Sequence, residues 1–364
     1  MKVKPRMSNF ELLRIIAMLF IVLHHSIVHG VLGEFFPRDA LQLYTIHPAV
    51  YSTARLLAFG GKVGVGLFVL ITGYFSIHSK MKWSKIIKIW VPTFCYTVIF
   101  FLIFKYRDTT PITAKDLISL LFPVTFKWYW FMTSFILLLL ISPILNKIWQ
   151  QCTRNQKKYI IGLLFLIYVL LPFFNHTLDN SLLLLFIMYY LVGGYLYETP
   201  STSILNKKWL YLSGIFLSLV GYFGLTIRKI LLGYANQSAD IINSSSKYSG
   251  DNSIFVVLFA ISFFMLFKHI QLKPNRLINL VASSTFGIYL IHDNRFVRKF
   301  IWFDLFHMEK LAVSSLGKFI LMDFLIVLLV FVVCSVIEII RNYIFNKCGF
   351  STWLQKRFSN FSLF

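Results

Sequence analysis

An arginine and a histidine stand eleven residues apart in the run NFELLRIIAMLFIVLHHSIVHG, at Arg14 and His25. Charged or titratable groups inside so apolar a run are costly and mark chemistry rather than packing. At about 100° per residue, eleven steps end about 20° past three full turns. Arg14 and His25 therefore share a helix face, about 16 Å apart along its axis. His24 lies about 100° away and should face elsewhere. An imidazole can take a proton and return it near neutral pH, so His25 is read as a general base, with Arg14 on its face.

Other polar groups recur at span ends. Lys85 and Lys88 sit one turn apart at the start of a later apolar run. Such a pair orients a helix, meets lipid headgroups or holds a phosphorylated ligand. GIYLIHDNRFVRK places His292 and Asp293 at the end of another run, where they could orient a polar substrate. Trp128, Tyr129 and Trp130 begin a further run, where they are either interfacial belt residues or, as with Trp130, a stacking surface for a ring. Gly60, Gly61, Gly64, Gly66 and Gly73 allow a helix or a ligand to approach the backbone closely. No strand precedes this string, so it is not a dinucleotide loop. GxSxG is absent. Cys95, Cys152, Cys334 and Cys348 form no CxxC or Cys/His cluster, and no metal site is expected.

These groups require a membrane scaffold. Of the 364 residues, 57% are hydrophobic and only 14% charged. The mean hydropathy is +0.71. So little charge could not cover the surface of a soluble chain of this length. The apolar runs are continuous rather than alternating, which excludes a barrel. The expectation is an all-α, polytopic helical bundle of about ten spans. They fall near 10–31, 60–78, 86–106, 129–148, 159–174, 181–197, 209–227, 253–268, 278–294 and 317–340. The first is not read as a cleaved leader, because Arg14 interrupts it and no small-residue cleavage site follows.

The net charge of +22 suggests no nucleic acid here, because the positive charges sort by side. With the N-terminus placed in the cytoplasm, the inside segments hold 21 of the 36 basic residues. They hold only Glu11, Glu198 and Glu338 of the 14 acidic ones. Both termini are thus expected in the cytoplasm of a cell-membrane protein. Residues 32–59 and 228–252 are expected outside, the latter as a loop because it has no apolar period. Residues 1–344 form one membrane domain. Residues 345–364 form a tail, with Trp353, Leu354, Phe358 and Phe361 on one face of an interfacial helix.

LLRIIAMLFIVLHH, GGKVGVGLFVLITGYF, KIIKIWVPTF, WYWFMTSFILLLLISPILN and STFGIYLIH follow one another in order. In this the chain resembles the acyltransferase-3 family of integral-membrane O-acyltransferases, over about 10–340. The resemblance implies that an acyl group, usually acetyl from acetyl-CoA, moves to a hydroxyl of an envelope carbohydrate such as capsule or exopolysaccharide. It implies that Lys85, Lys88, Gly64 and Gly66 hold the CoA donor. The family often has Arg-x-x-Arg where this chain has Lys85 and Lys88, which keeps the charge but loses the bidentate fork. With no hydrolase-like domain attached, the chain resembles the stand-alone form. Without a nucleophile beside a base, direct transfer with His25 as base is favoured. The competing reading is a transporter or flippase of a glycan or small solute, whose twofold repeats are not found in the sequence.

Overall fold

The computed structural model describes residues 7–33, 39–106, 113–121, 125–126, 128–174, 181–350, 353 and 357. Each of the ten expected apolar runs is a helix. α1 (Ser8–His25) continues through a π-helical turn, Ser26–Val31. Two short helices, α2 (Ala40–Ile46) and α3 (Pro48–Leu57), lead into α4 (Phe59–Ser76). Then come α5 (Trp83–Tyr106), α6 (Ala114–Leu121), α7 (Trp130–Gln151) and α8 (Arg154–Phe165), which runs on through a π turn into α9 (Leu171–Phe174). α10 (Leu182–Glu198), α11 (Lys208–Ala235), α12 (Ala239–Asn243), α13 (Ile254–His269) and α14 (Arg276–His292) follow. α15 (Arg295–Lys299) and α16 (Leu316–Lys347) end the bundle.

Eight of these segments are long and apolar enough to cross a membrane. α10 is apolar but short, and α14 has 17 residues. Both pack inside the bundle, where the helix need not match a bilayer's full thickness. α16 shows the opposite behaviour. It exposes Leu321, Phe324, Leu329 and Val332, an outward apolar face suited to lipid.

Without water, each polar group within the spans must be satisfied by the protein. Pro143 cannot donate to the carbonyl of Leu139, and Ser142 Oγ donates to that oxygen instead, at 2.8 Å. At one end of the bundle Glu198 gathers three helices. It accepts from Lys157 Nζ at 2.8 Å and Trp149 Nε1 at 3.1 Å, and pairs with His78 Nε2 at 2.9 Å. At the same end, Asn9 Nδ2 donates to Phe267 O at 3.0 Å.

Two expectations change. Residues 228–252 are not an open loop: α11 continues to Ala235, and α12 and a 3-10 turn (Ser244–Ser249) fold into a cap. Short-range hydrogen bonds hold it, such as Ser253 Oγ to Tyr248 O at 2.6 Å, and Arg55 Nη2 ties it to α3 through Asn243 Oδ1 at 2.9 Å. Apolar periodicity cannot see structure of that kind. Residues 32–59 likewise contain α2 and α3. Most of the expected tail helix, including Leu354, Phe358 and Phe361, lies outside the described residues.

α4 and α10 approach until backbones touch. A Cβ on Gly73 would collide with the carbonyl of Tyr190, and one on Gly193 with the carbonyl of Leu70. Gly73→Val should lower stability by about 1–3 kcal/mol, the range for overpacking. Gly162, in α8, has open surroundings, so Gly162→Ala should hold or raise stability. Thermal unfolding of both variants in detergent checks this. Equal midpoints would show that the contact is not tight.

Candidate functional site

One face of α1 and the π turn that continues it is a stripe of Glu11, Arg14, Met18, Ile21, His25 and Val28, spaced three or four apart. All six line a cavity of about 490 Å³ that also reaches His29. From Glu11 to His29 that face extends about 27 Å at helical rise. Arg14 and His25 thus open onto one space. His24 opens onto it as well, which the expected rotation did not foresee. Its Nδ1 donates to Ala58 O at 2.6 Å, and its ring packs on Gly61. Arg14 is also not alone: Nη1 bonds both carboxylate oxygens of Glu11, at 2.9 and 3.1 Å.

The centre of the site is a chain of hydrogen bonds. His292 Nδ1 lies 2.6 Å from Ile288 O, and His25 Nδ1 lies 2.9 Å from His292 Nε2. A carbonyl only accepts, so His292 carries its hydrogen on Nδ1. Neutral His292 then accepts at Nε2, and His25 must donate from Nδ1. The lone pair of His25 is left on Nε2. Position in the fold thereby assigns the tautomer of a potential base. His292 is fully buried behind His25 and does not line the cavity. Its neighbour Asp293 does line it.

Asp293 Oδ1 is a shared focus. It lies 3.6 Å from His25 Nδ1, 3.8 Å from His29 Nε2 and 3.9 Å from Arg298 Nη1. Arg298 Nη1 is 3.4 Å from His29 Nε2, which fixes that nitrogen as an acceptor. Ligand atoms of His25, His29 and Asp293 fall within 4.8 Å of one another, a spacing a metal ion could use. The Arg298 guanidinium already occupies the His29 nitrogen, and a second cation there would be repelled. The geometry fits an acid–base site with a stabilising carboxylate better than a metal centre.

At the same end, Lys62 Nζ stands 4.5 Å from the ring centre of Trp130 and 3.0 Å from Asp251 Oδ2. Lys62 and Trp130 both line the cavity. Tyr129, beside Trp130, is fixed in place. Its hydroxyl donates to Leu290 O at 2.8 Å and accepts from Asn294 Nδ2 at 2.7 Å. That ties the start of α7 to the end of α14, which carries His292.

The structure separates the remaining expected residues from this space. Gly64 and Gly66 are not in the cavity wall. A Cβ on Gly64 would collide with the carbonyl of Ala17, and one on Gly66 would press on the Tyr189 ring, so both serve helix packing. Lys85 and Lys88 are exposed, one turn and one residue before the cavity-lining Ile89, and Lys85 Nζ donates to Ser79 Oγ at 3.3 Å. Sequence reasoning passed over Glu11, His29, Lys62 and Arg298. His29 was readable, being four residues after His25. So was Lys62, a cation inside an apolar run.

Residues 7–339 match the model of the acyltransferase-3 family, described as an acyltransferase domain. No curated protein and no solved structure matches the chain. The hydrogen-bond chain predicts neutral Nδ1–H tautomers for His25 and His292. Nitrogen-15 shifts of labelled histidine, assigned by single His→Gln variants, test this. A hydrogen on Nε2 of His25 would overturn the assignment.

Proposed function

The chain belongs to the acyltransferase-3 family, and from that premise we propose that it moves an acetyl group from acetyl-CoA to a hydroxyl of a cell-surface polysaccharide or its lipid-linked precursor. A multi-pass membrane acyltransferase follows from the family and the helices. The transporter reading falls with it. The observation that carries the finer reading is the cavity, in which His25 stands between two unlike ends. The Arg14 end lies with the basic segments assigned to the cytoplasm, so CoA enters there. The other end offers Trp130, Lys62, Asp293 and Arg298 to a polar acceptor. Both termini then face the cytoplasm of the cell membrane.

The residues at the Arg14 end suit an anionic donor in part. Lys85 and Lys88 are exposed cations at that end, while Arg14 is shared with Glu11. We assign the CoA phosphates to the two lysines and give Gly64 and Gly66 no part in it.

In the transfer, His25 Nε2 takes the proton of the acceptor hydroxyl as its oxygen attacks the thioester carbonyl carbon. The new C–O bond forms, the C–S bond breaks, and the electron pair leaves on sulfur. His25 returns the proton to that thiolate, giving the ester and free CoA. While His25 is cationic, its Nδ1–H bond to His292 strengthens and the Asp293 carboxylate lies 3.6 Å away. No charged intermediate has to be solvated by lipid.

An asparagine amide can replace Nδ1 of histidine but not Nε2. His24→Asn should therefore keep its bond to Ala58 and most of the activity. His25→Asn keeps a donor toward His292 yet loses the base, and transfer should fall about 10²–10⁴-fold. Acetate on the cell's glycan, compared at matched protein levels, reads both. An active His25→Asn enzyme would remove His25 from the chemistry.

Replacing Lys85 and Lys88 together by Gln should raise the KM for acetyl-CoA and leave the acceptor KM unchanged. An unchanged donor KM would reduce the pair to orienting α5.

A further inference from the structure

A second cavity, of about 650 Å³, lies between the α8–α10 edge and the folded cap at 244–253. It shares a wall with the first. Asp251 lines this second space, and its Oδ2 holds Lys62 Nζ, which lines the first. That ion pair, with one member lining each space, stands between the two beside the Trp130 ring. We propose that the second cavity is a subsite for a neighbouring sugar unit of the acceptor, so that the substrate is an oligosaccharide or longer chain lying across the Lys62–Asp251 wall. This rests on the acetyltransferase reading above.

The lining chooses among ligand classes. Tyr168, Phe173 and Tyr248 supply ring faces. Ser246, Lys247, Asp251 and Asn252 supply hydroxyl, ammonium, carboxylate and amide groups around the same space. The volume is that of a small-ligand cleft. An anionic phosphate would meet Asp251, and a free cation would meet Lys247 and Lys62. A lipid tail would strip water from the polar groups without replacing their hydrogen bonds. A neutral sugar ring has apolar faces for the aromatics and hydroxyl edges that both donate and accept. Asp251 Oδ1 is buried and has no hydrogen-bond partner in the protein among the described residues, so a sugar hydroxyl reaching the Lys62–Asp251 pair would satisfy it.

The cap is also built to hold a shape. Ser246 Oγ donates to Asn243 O at 2.8 Å, Arg55 anchors Asn243, and Tyr222 Oη donates to Arg55 O at 2.6 Å. A polar segment serving only to join α11 to α13 would not need ties to α3. The same ties carry the cap's position to Ala58 and so to His24, the cavity residue hydrogen-bonded there.

The test is binding by the detergent-purified full chain. The probes are fragments of the host cell's own surface polysaccharide, one and three repeat units long, prepared by partial acid hydrolysis. The three-repeat fragment should bind about tenfold more tightly, about 1.4 kcal/mol. Ser246→Trp, which fills the cavity from an exposed position, should abolish that gain and leave one-repeat binding unchanged. Asn252→Ala should remove part of the gain and stands in if the tryptophan variant does not fold. Equal affinity for both lengths, or a gain that survives the substitutions, overturns the subsite. The two proposals fail separately. Acetyl transfer to fragments without any length dependence keeps the enzyme reading and sinks the subsite. A length gain that is sensitive to Ser246→Trp, with no transfer to any fragment, keeps the subsite and sinks the enzyme reading.

Discussion

An imidazole inside a membrane bundle has no bulk water to satisfy it, and the site depends on how this one is satisfied. Ile288 O is an obligate acceptor, and it sets His292, which in turn sets His25. Each link is buried, so no competing solvent bond loosens the order. The end of α14 must therefore stay where it is relative to α1. Tyr129 and Asn294 secure that end from α7 and from the turn after α14. Much of this end of the bundle can be understood as holding two rings 5.0 Å apart.

The same constraint explains the grouping of charge. Asp293 is buried and would be costly alone, but His25, His29 and Arg298 surround it. Lys62 is answered by Asp251 and by the Trp130 face. Glu11 answers Arg14. Each acidic or basic side chain along the cavity thus has a nearby charge of opposite sign, and the wall stays polar without carrying a large unbalanced field. Close backbone packing makes this possible. Glycines at 64, 73 and 193 bring α1, α4 and α10 together, so the cavity is bounded by rigid helices.

Much of the architecture was legible because its signals are local. Continuous apolar runs gave all ten helices, and the 3.6-residue period put Arg14 and His25 on the face that lines the cavity. The period also placed His24 off that face, yet a ring is wide enough to reach the space from a flank. What could not be read is long range. His25 and His292 are 267 residues apart, and nothing in either segment announces their bond. Gly64 and Gly66 lie in the right segment, but only the facing Ala17 carbonyl and Tyr189 ring reveal them as packing contacts. The cap of α12 and the 3-10 turn escaped because its local order comes from serine and asparagine side chains bonding nearby backbone, which leaves no apolar rhythm.

A base held in one tautomer suits the proposed transfer between two substrates. A symmetric imidazole network could pass a proton onward and uncouple the chemistry. Here His25 Nδ1 is committed to His292, and His292 Nδ1 to a backbone oxygen that cannot release a proton. Proton traffic is confined to His25 Nε2, the nitrogen left for the substrates. In the proposed transfer, the proton taken from the acceptor hydroxyl then has one productive destination, the departing thiolate, and the cycle closes with the imidazole neutral. The acceptor's proton leaves on the CoA thiol, so the bundle needs no relay of titratable groups to move it. That distinguishes this arrangement from the relays of pumps, in which carboxylates and histidines alternate along a path.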